Sequence, residues 1–575
     1  RLFAETGDLS AAQKSMADVA RFSLGRKSVG SPRVYQFGMV ANATKRSAVG
    51  QLTSEKLIGY YISAPSTINW KIDPVDAIGA LSLDKNAALQ LYTRMAAERA
   101  NSLQVLERGD RFARQRFAVN LPMGGRLLNL RWMVSVPQDQ LPPAAKLFVN
   151  QPPALFRPLA IAAAAPPAAD PDQLKTQSAQ LEALTLRLAL QRINIPDVMP
   201  CTVDEENARE QIAEDTALLA YIPAGDVTVG VLLSKGESKI WSAPAPRSLS
   251  PKIRDMLQGI GVGKRGGGLA QLTGDSWERP AIDIRKRLFG NLDLVSQKIQ
   301  QGKIKKLIVV PIGVLWYLPF EMLPTGDIGS QRLGQTVQVH YAPTPGYGLR
   351  PLQFDPTPGE TMMVNGKFFA PRDTDRNATL TDDIMKATAG SVAIPPPSPD
   401  KPTAGRWLKG PAQTISVHGL IKPTMGSRPL AWSPLAYDRN APNGNGLLSA
   451  WLRFPMVAPD NVMLPGFRSA AESPTLGNGD DIFFTLMGLH AAGVRNVMLS
   501  RWAVGGVSTS ILVRESLPEV PTMGPRAAWD RAVDILKTTD LDAKEEPLLS
   551  RGDAKDATLN GEPPLFWSGY LHSGQ

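Results

Sequence analysis

The chain has 575 residues, of which 43% are hydrophobic and 20% charged. A single core stops growing well short of that length, so roughly two to four domains of ordinary globular composition are expected. No apolar run approaches the ~18 residues that cross a bilayer. The closest, 159–165, is short and stops at Pro166-Pro167.

The formal charge is +10, but Lys and Arg are scattered along the chain. Lys303, Lys305 and Lys306 form the densest short cluster and precede an apolar run, which makes them the solvated flank of a strand. A nucleic-acid surface wants a basic stripe interleaved with stacking aromatics, and the sequence carries none. Cys201 is the single cysteine, which excludes an intramolecular disulfide framework and a cysteine-rich metal site. A lone thiol suits a reducing compartment, so the cytoplasm is favoured. Because the chain starts at Arg1 and not at Met, a lost targeting segment is also expected to be possible.

In chain order, Gly7-Asp8 followed by Leu9, Ala12, Met16 and Val19 predicts a helix behind an Asp cap. A second helix is expected over 85–107 behind Asp84, with Leu91, Met95 and Leu103 on related faces. A third spans 174–192, where Leu174, Leu181, Leu184 and Leu188 make a packing stripe. Between these last two lie a β element near 127–136 and a Pro/Ala-rich linker at 152–172. The region 1–199 is therefore expected to be mainly helical.

After Cys201 the texture changes. Short apolar strands are predicted at 217–222 and 227–233, the first closed by Pro223 and the two joined as a hairpin. Helices are expected at 251–257 and 280–301. Lys306–Pro311 (KLIVVP) reads as a strand buried on both faces of a parallel sheet. Further strands are expected at 337–341, 361–364, 413–417, 461–464 and 496–500, with a helix over 481–492. This alternation predicts an α/β domain over 202–575, a mostly parallel sheet with helices on both faces. Gly261, Gly263 and Gly266 spell GxGxxG, but a helix precedes them where the dinucleotide fingerprint needs a strand, so they read as a loop.

Five segments in this order resemble the CHAT family, caspase-like domains related to clan CD cysteine peptidases. They are IVVPIGVLWYLPFEML at 308–323, VQVHYAPTP at 337–345 and ISVHG at 415–419, then 479–502, ending in VRNVMLSRW, and PPLFWSG at 563–569. The spelling LPGFRSAAE, SRWAVGG and FWSGYL is similar to a planctomycete subgroup of that family. The resemblance implies a caspase-like fold and a His–Cys dyad at neighbouring strand ends, in a peptidase or peptide-recognition module of bacterial signalling or defence.

The dyad His falls on His418, at the end of TISV, and Gly419 after it lets a substrate backbone approach. The nucleophile of a caspase-like chain follows roughly 50 residues later. The family's Leu-Ser-Ala-Cys lands on Leu464-Pro465-Gly466-Phe467, so Phe467 stands where the thiol should be. A phenyl ring neither attacks a carbonyl nor carries a transferable proton. The reading leans toward a non-enzyme, a pseudo-peptidase that binds a protein or peptide partner with Gly419, Gly466, Arg501 and Trp502 at its binding edge. The rival is a hydrolase in which Ser469 attacks with His418 as base. Cys201, upstream of the fold, is expected to be a small buried hydrophobe. His340, His490 and His572 are expected in structural roles. With four His and one Cys so dispersed, neither a metal nor a cofactor is expected.

Overall fold

A computed structural model describes residues 101–119, 143–151, 208–224, 227–263, 272–289, 301–350, 360–364, 382–388, 391–394, 412–418, 459–502, 504–546 and 558–574, with scattered single positions elsewhere. The element expected at 127–136, Cys201, Gly419, Gly266 and most of 152–172 lie outside these residues.

Among the described residues, thirteen strands are β1 (Thr216–Ala224), β2 (Val227–Ser234), β3 (Glu237–Ala243), β4 (Lys306–Val310), β5 (Gln338–Tyr341), β6 (Glu360–Val364), β7 (Val392–Ile394), β8 (Ala412–Val417), β9 (Asn461–Leu464), β10 (Asn496–Ser500), β11 (Asp540–Asp542), β12 (Thr558–Asn560) and β13 (Tyr570–Ser573). The longer helices are α1 (Ser102–Val119), α2 (Pro246–Ile260), α3 (Glu278–Phe289), α4 (Asp480–Ala491), α5 (Gly506–Ser516) and α6 (Pro525–Lys537). Eleven strands form one sheet in the order β3-β2-β1-β4-β5-β13-β10-β9-β8-β6-β7.

The sheet is mostly parallel, as the apolar runs predicted. β7, β6, β8, β9 and β10 run one way, each parallel to its neighbour. β13 is antiparallel to β10 and parallel to β5, which is parallel to β4, and β4 to β1. The sheet therefore has two carboxyl edges pointing in opposite directions. Helices cover both faces: Tyr570 and His572 of β13 meet Trp529 of α6, while Ser573, one residue on, meets His490 of α4. Alternate residues of a strand point to opposite faces.

Several expected boundaries shift for physical reasons. β1 continues through Pro223, because its pairing with β4 ends at Ala220 and the proline lies beyond that ladder. α2 begins at Pro246, so Pro251 lies inside it. It ends where Gly261 takes φ 106° and its N–H reaches the Gln258 carbonyl, a left-handed cap. α3 stops at Phe289. The helix expected over 85–107 is broken: Ala100 has φ 54°, and Asn101 starts α1 by accepting from the Gln104 N–H at 3.1 Å. At the chain's beginning, Asp8 does cap, accepting from the Ala11 N–H at 3.0 Å.

α1, inside the region 1–199 expected to be mainly helical, packs against the sheet. Its Val105, Leu106 and Phe117 belong to the same buried core as β1 and β4. Gly109 permits the contact, since a Cβ there would lie 2.0 Å from Ile222. Phe117 stacks on Phe484 of α4 at 6.4 Å, and Arg116 pairs with Asp480. Asp110 is wholly buried, accepts from the Gly346 N–H at 2.9 Å and pairs with Arg114 at 2.9 Å. Removing one partner of such a pair strands the other in a low dielectric. Asp110→Ala is therefore expected to cost about 3–5 kcal/mol in urea titration, although residue 110 lies far upstream of the α/β segments. A loss under about 1 kcal/mol would show that α1 is only loosely docked.

Candidate functional site

β8 and β9 are parallel neighbours, with Ile415 opposite Val462 and Ser416 opposite Met463. Their ends therefore deliver His418 and the turn at Pro465–Gly466 to one edge of the sheet, where ligands bind in open α/β folds. β10, parallel to β9, brings Arg501 and Trp502 to that same edge. His418, Phe467, Arg501 and Trp502 thus share one neighbourhood of the fold.

The chemistry of that neighbourhood is enclosed. His418 is 3% exposed and Phe467 wholly buried. Desolvation lowers His418 to about 4, so its imidazole is neutral near pH 7. The Ser416 hydroxyl lies 2.9 Å from His418 Nε2, a partner the sequence reading missed. Positions i and i+2 of a strand share a face, which is the signal that could have found it. Ser416 is itself completely buried within β8, away from any incoming carbonyl.

The loop after β9 is pinned from several sides. Ser500 Oγ donates toward the Pro465 and Phe467 carbonyls at 2.9 and 2.6 Å. Ser469 caps the short turn Ala470–Glu472, accepting from the Ala471 N–H at 3.1 Å, while its own hydroxyl donates to the Arg501 carbonyl. Its proton therefore points at a backbone oxygen. Asp481 accepts from the Ala470 N–H at 2.6 Å and from the Tyr317 hydroxyl at 2.8 Å. Gly479 reaches Asp481 through φ 77°, with the Gly313 carbonyl 2.1 Å from where a Cβ would sit. No other residue type fits that turn.

Arg501 and Trp502, expected at a binding edge, face the interior. Arg501 is wholly buried: Nε donates to the Trp316 carbonyl at 3.1 Å, Nη1 pairs with Glu321 at 3.1 Å, and the guanidinium lies 4.7 Å from the Tyr341 ring centre. Trp502 donates from Nε1 to the Leu565 carbonyl at 3.2 Å, with Gly569 against its ring. Gly466 lies in the buried turn. Among the described residues, no group of three or more His, Cys, Asp and Glu is placed to hold a metal, and no helix is long and apolar enough to cross a membrane.

Comparison with known proteins adds little to this geometry. No family model matches the chain, and no curated protein matches it. Among solved structures, two of the Saccharomyces cerevisiae separase–securin complex, at 3.0 and 2.6 angstrom resolution, align over 95% of this chain with 10% identity and a TM-score of 0.38. The alignment covers 49% and 47% of those chains, so this chain spans about half their length. A likeness that loose carries no functional weight, and the chain's own residues must supply the reading.

Proposed function

We propose that this chain is a caspase-like protein of the CHAT type that has lost peptidase chemistry and recognises a peptide or protein partner in bacterial signalling or defence. The observation that carries the reading is Phe467, buried at the end of β9 beside the strand that delivers His418. A cysteine peptidase of this design needs a thiolate there to form an acyl-enzyme. The hydroxyls nearest in sequence do not replace it. Ser469 gives its proton to the Arg501 carbonyl, and Ser416 is enclosed in β8. The rival, a hydrolase using Ser469 with His418, therefore has no hydrogen bond between the two in its favour.

Purified protein incubated with a diverse peptide library should give no cleavage. Thiol-directed probes should label Cys201 alone. Peptide turnover that disappears in His418→Ala would overturn the proposal, because it requires a working base and a nucleophile beside it.

A further inference from the structure

The basic cluster Lys303, Lys305 and Lys306 divides in the structure. Lys303 and Lys305 are exposed, as the flank of a strand should be. Lys306 instead opens β4 and is half-buried between Thr216 of β1 and Gln338 of β5. Burial alone does not single it out. Lys239, Lys252 and Lys537 are half-buried too, and each meets a carboxylate, Glu237, Asp283 and Asp534 in turn. Lys306 Nζ meets none: among the described residues it has neither an ion pair nor a hydrogen bond, and it stays open to water.

Its surroundings explain why. The first turn of α6 lies over β5, where Arg526 donates to the Val339 carbonyl and pairs with Asp530 at 2.9 Å. Gln338, beside Lys306, also donates to Asp530, at 3.4 Å. Asp530 is thus engaged by two other donors. Asp215, just before β1, accepts from the Thr216 hydroxyl at 3.3 Å, and its backbone carbonyl receives the Lys305 and Lys306 N–H groups. Burial keeps the His340 and His572 rings neutral near pH 7. What acts on the amine from α6 is therefore positive, the Arg526 guanidinium and the amino end of the helix.

We propose that Lys306 is an acylation site, its amine taking the acyl group of an acyl phosphate. Nζ bonds to the acyl carbonyl carbon, the bond from that carbon to the bridging oxygen breaks, and phosphate leaves with the electron pair. The proton shed by the nitrogen goes to phosphate or water, and an uncharged amide remains. A primary amine attacks a carbonyl only as the free base, and an ammonium with no anion beside it gives up its proton most readily. The exposed Lys303 and Lys305 and the Arg526 guanidinium make the approach positive, which gathers a donor that carries phosphate.

Burial, opposed by Asp215 and helped by Arg526, brings the Lys306 ammonium down to about 8. About a quarter of the chains then carry the free amine at pH 7.5, against roughly one in a thousand for an ordinary lysine. A weaker base is also a weaker nucleophile, which takes back part of that advantage.

Incubation of the whole chain with acetyl phosphate at about pH 7.5, read residue by residue in the peptide masses, tests the site. Lys306 should be acetylated on the order of 10-fold faster than Lys303 and Lys305, which lie in the same segment. Its rate should climb to about pH 8.5 and then level. In concentrated urea, where all three lysines are solvated alike, the lead should vanish. Arg526→Gln removes the guanidinium and frees Asp530, so the levelling should move to higher pH and the rate near pH 7.5 should fall about 3-fold. Added salt should slow acetyl phosphate and leave 4-nitrophenyl acetate, a neutral donor, unchanged. Acetylation of Lys306 no faster than that of Lys303 and Lys305, or a lead that persists in urea, overturns the site. An equal salt response of the two donors overturns its assignment to acyl phosphates.

Discussion

Acidification from pH 6.5 toward 4.5 is expected to remove roughly 5–6 kcal/mol of folding stability, enough to unfold an ordinary domain. The chain contains four histidines, and all are buried: His340, His418 and His490 at 3% exposure and His572 at 5%. Burial is the leading cause of a lowered pKa in each, to about 4 for His418 and His490 and well below the usual value for His340 and His572. Lys306, Arg526 and His572 push His340 further down, and Arg526 and Arg501 do so for His572. About a unit or more above pH 6.5 these rings are neutral whether folded or unfolded and contribute no slope. Below it the unfolded chain takes up protons that the native state refuses, so stability falls with pH.

Two carboxyls act the other way. Burial raises Glu546 to about 8 and also raises Asp481, so the native state holds protons there that the unfolded chain releases. Their contribution grows as pH falls and cancels part of the histidine loss. The net excess of about two to three protons on the unfolded chain gives roughly 3–4 kcal/mol per pH unit near pH 5. Urea titrations at pH 7.5, 6.5, 5.5 and 5.0, followed by tryptophan emission, measure this slope. Stability that is flat or rising between pH 6.5 and 5.0 would mean that the imidazoles are charged, and so solvated, in the folded protein.

What the sequence revealed and what it hid divide along physical lines. β4, β9 and β10 were legible almost to the residue, because a strand buried on both faces must be a continuous apolar run. β3, whose sequence is ESKIWSA, was not: an edge strand needs no such run, and its side chains are mostly half-buried. Its Trp241 packs over Gly230, where a Cβ would sit 2.2 Å from the ring, and no local pattern announces that pairing. Placing His418 and Phe467 at one edge required only the order of two strands and their direction. The surroundings of that edge were hidden, since Asp481 and Arg501 are charged residues that look solvated in sequence. The pairing of His490 with Ser573 joins residues 83 apart and lay equally beyond local pattern.

Arg501 is the residue whose loss should disturb the candidate edge most. Its guanidinium ties together the Trp316 carbonyl, Glu321, the Ser568 carbonyl and the Tyr341 ring, with Nη1 at 3.1 and 3.3 Å from Glu321 and Ser568. Its own carbonyl receives the hydroxyl and the N–H of Ser469. The segment after β4 and the loop after β9 are therefore held by one side chain. Arg501→Met keeps much of the stem's volume and removes the charge, leaving Glu321 in a site where its side chain is 12% exposed and the Tyr341 hydroxyl its remaining donor. A loss of about 3–5 kcal/mol is expected. The cause is the stranded carboxylate, so removing it as well should restore much of the loss. Arg501→Met combined with Glu321→Leu should therefore be more stable than Arg501→Met alone, as buried ion pairs exchanged together for apolar groups often are. Urea midpoints of the parent, both single variants and the double variant close the cycle. Strictly additive losses would show that Arg501 stabilises the edge through its backbone and aromatic contacts, with no energetic tie to Glu321.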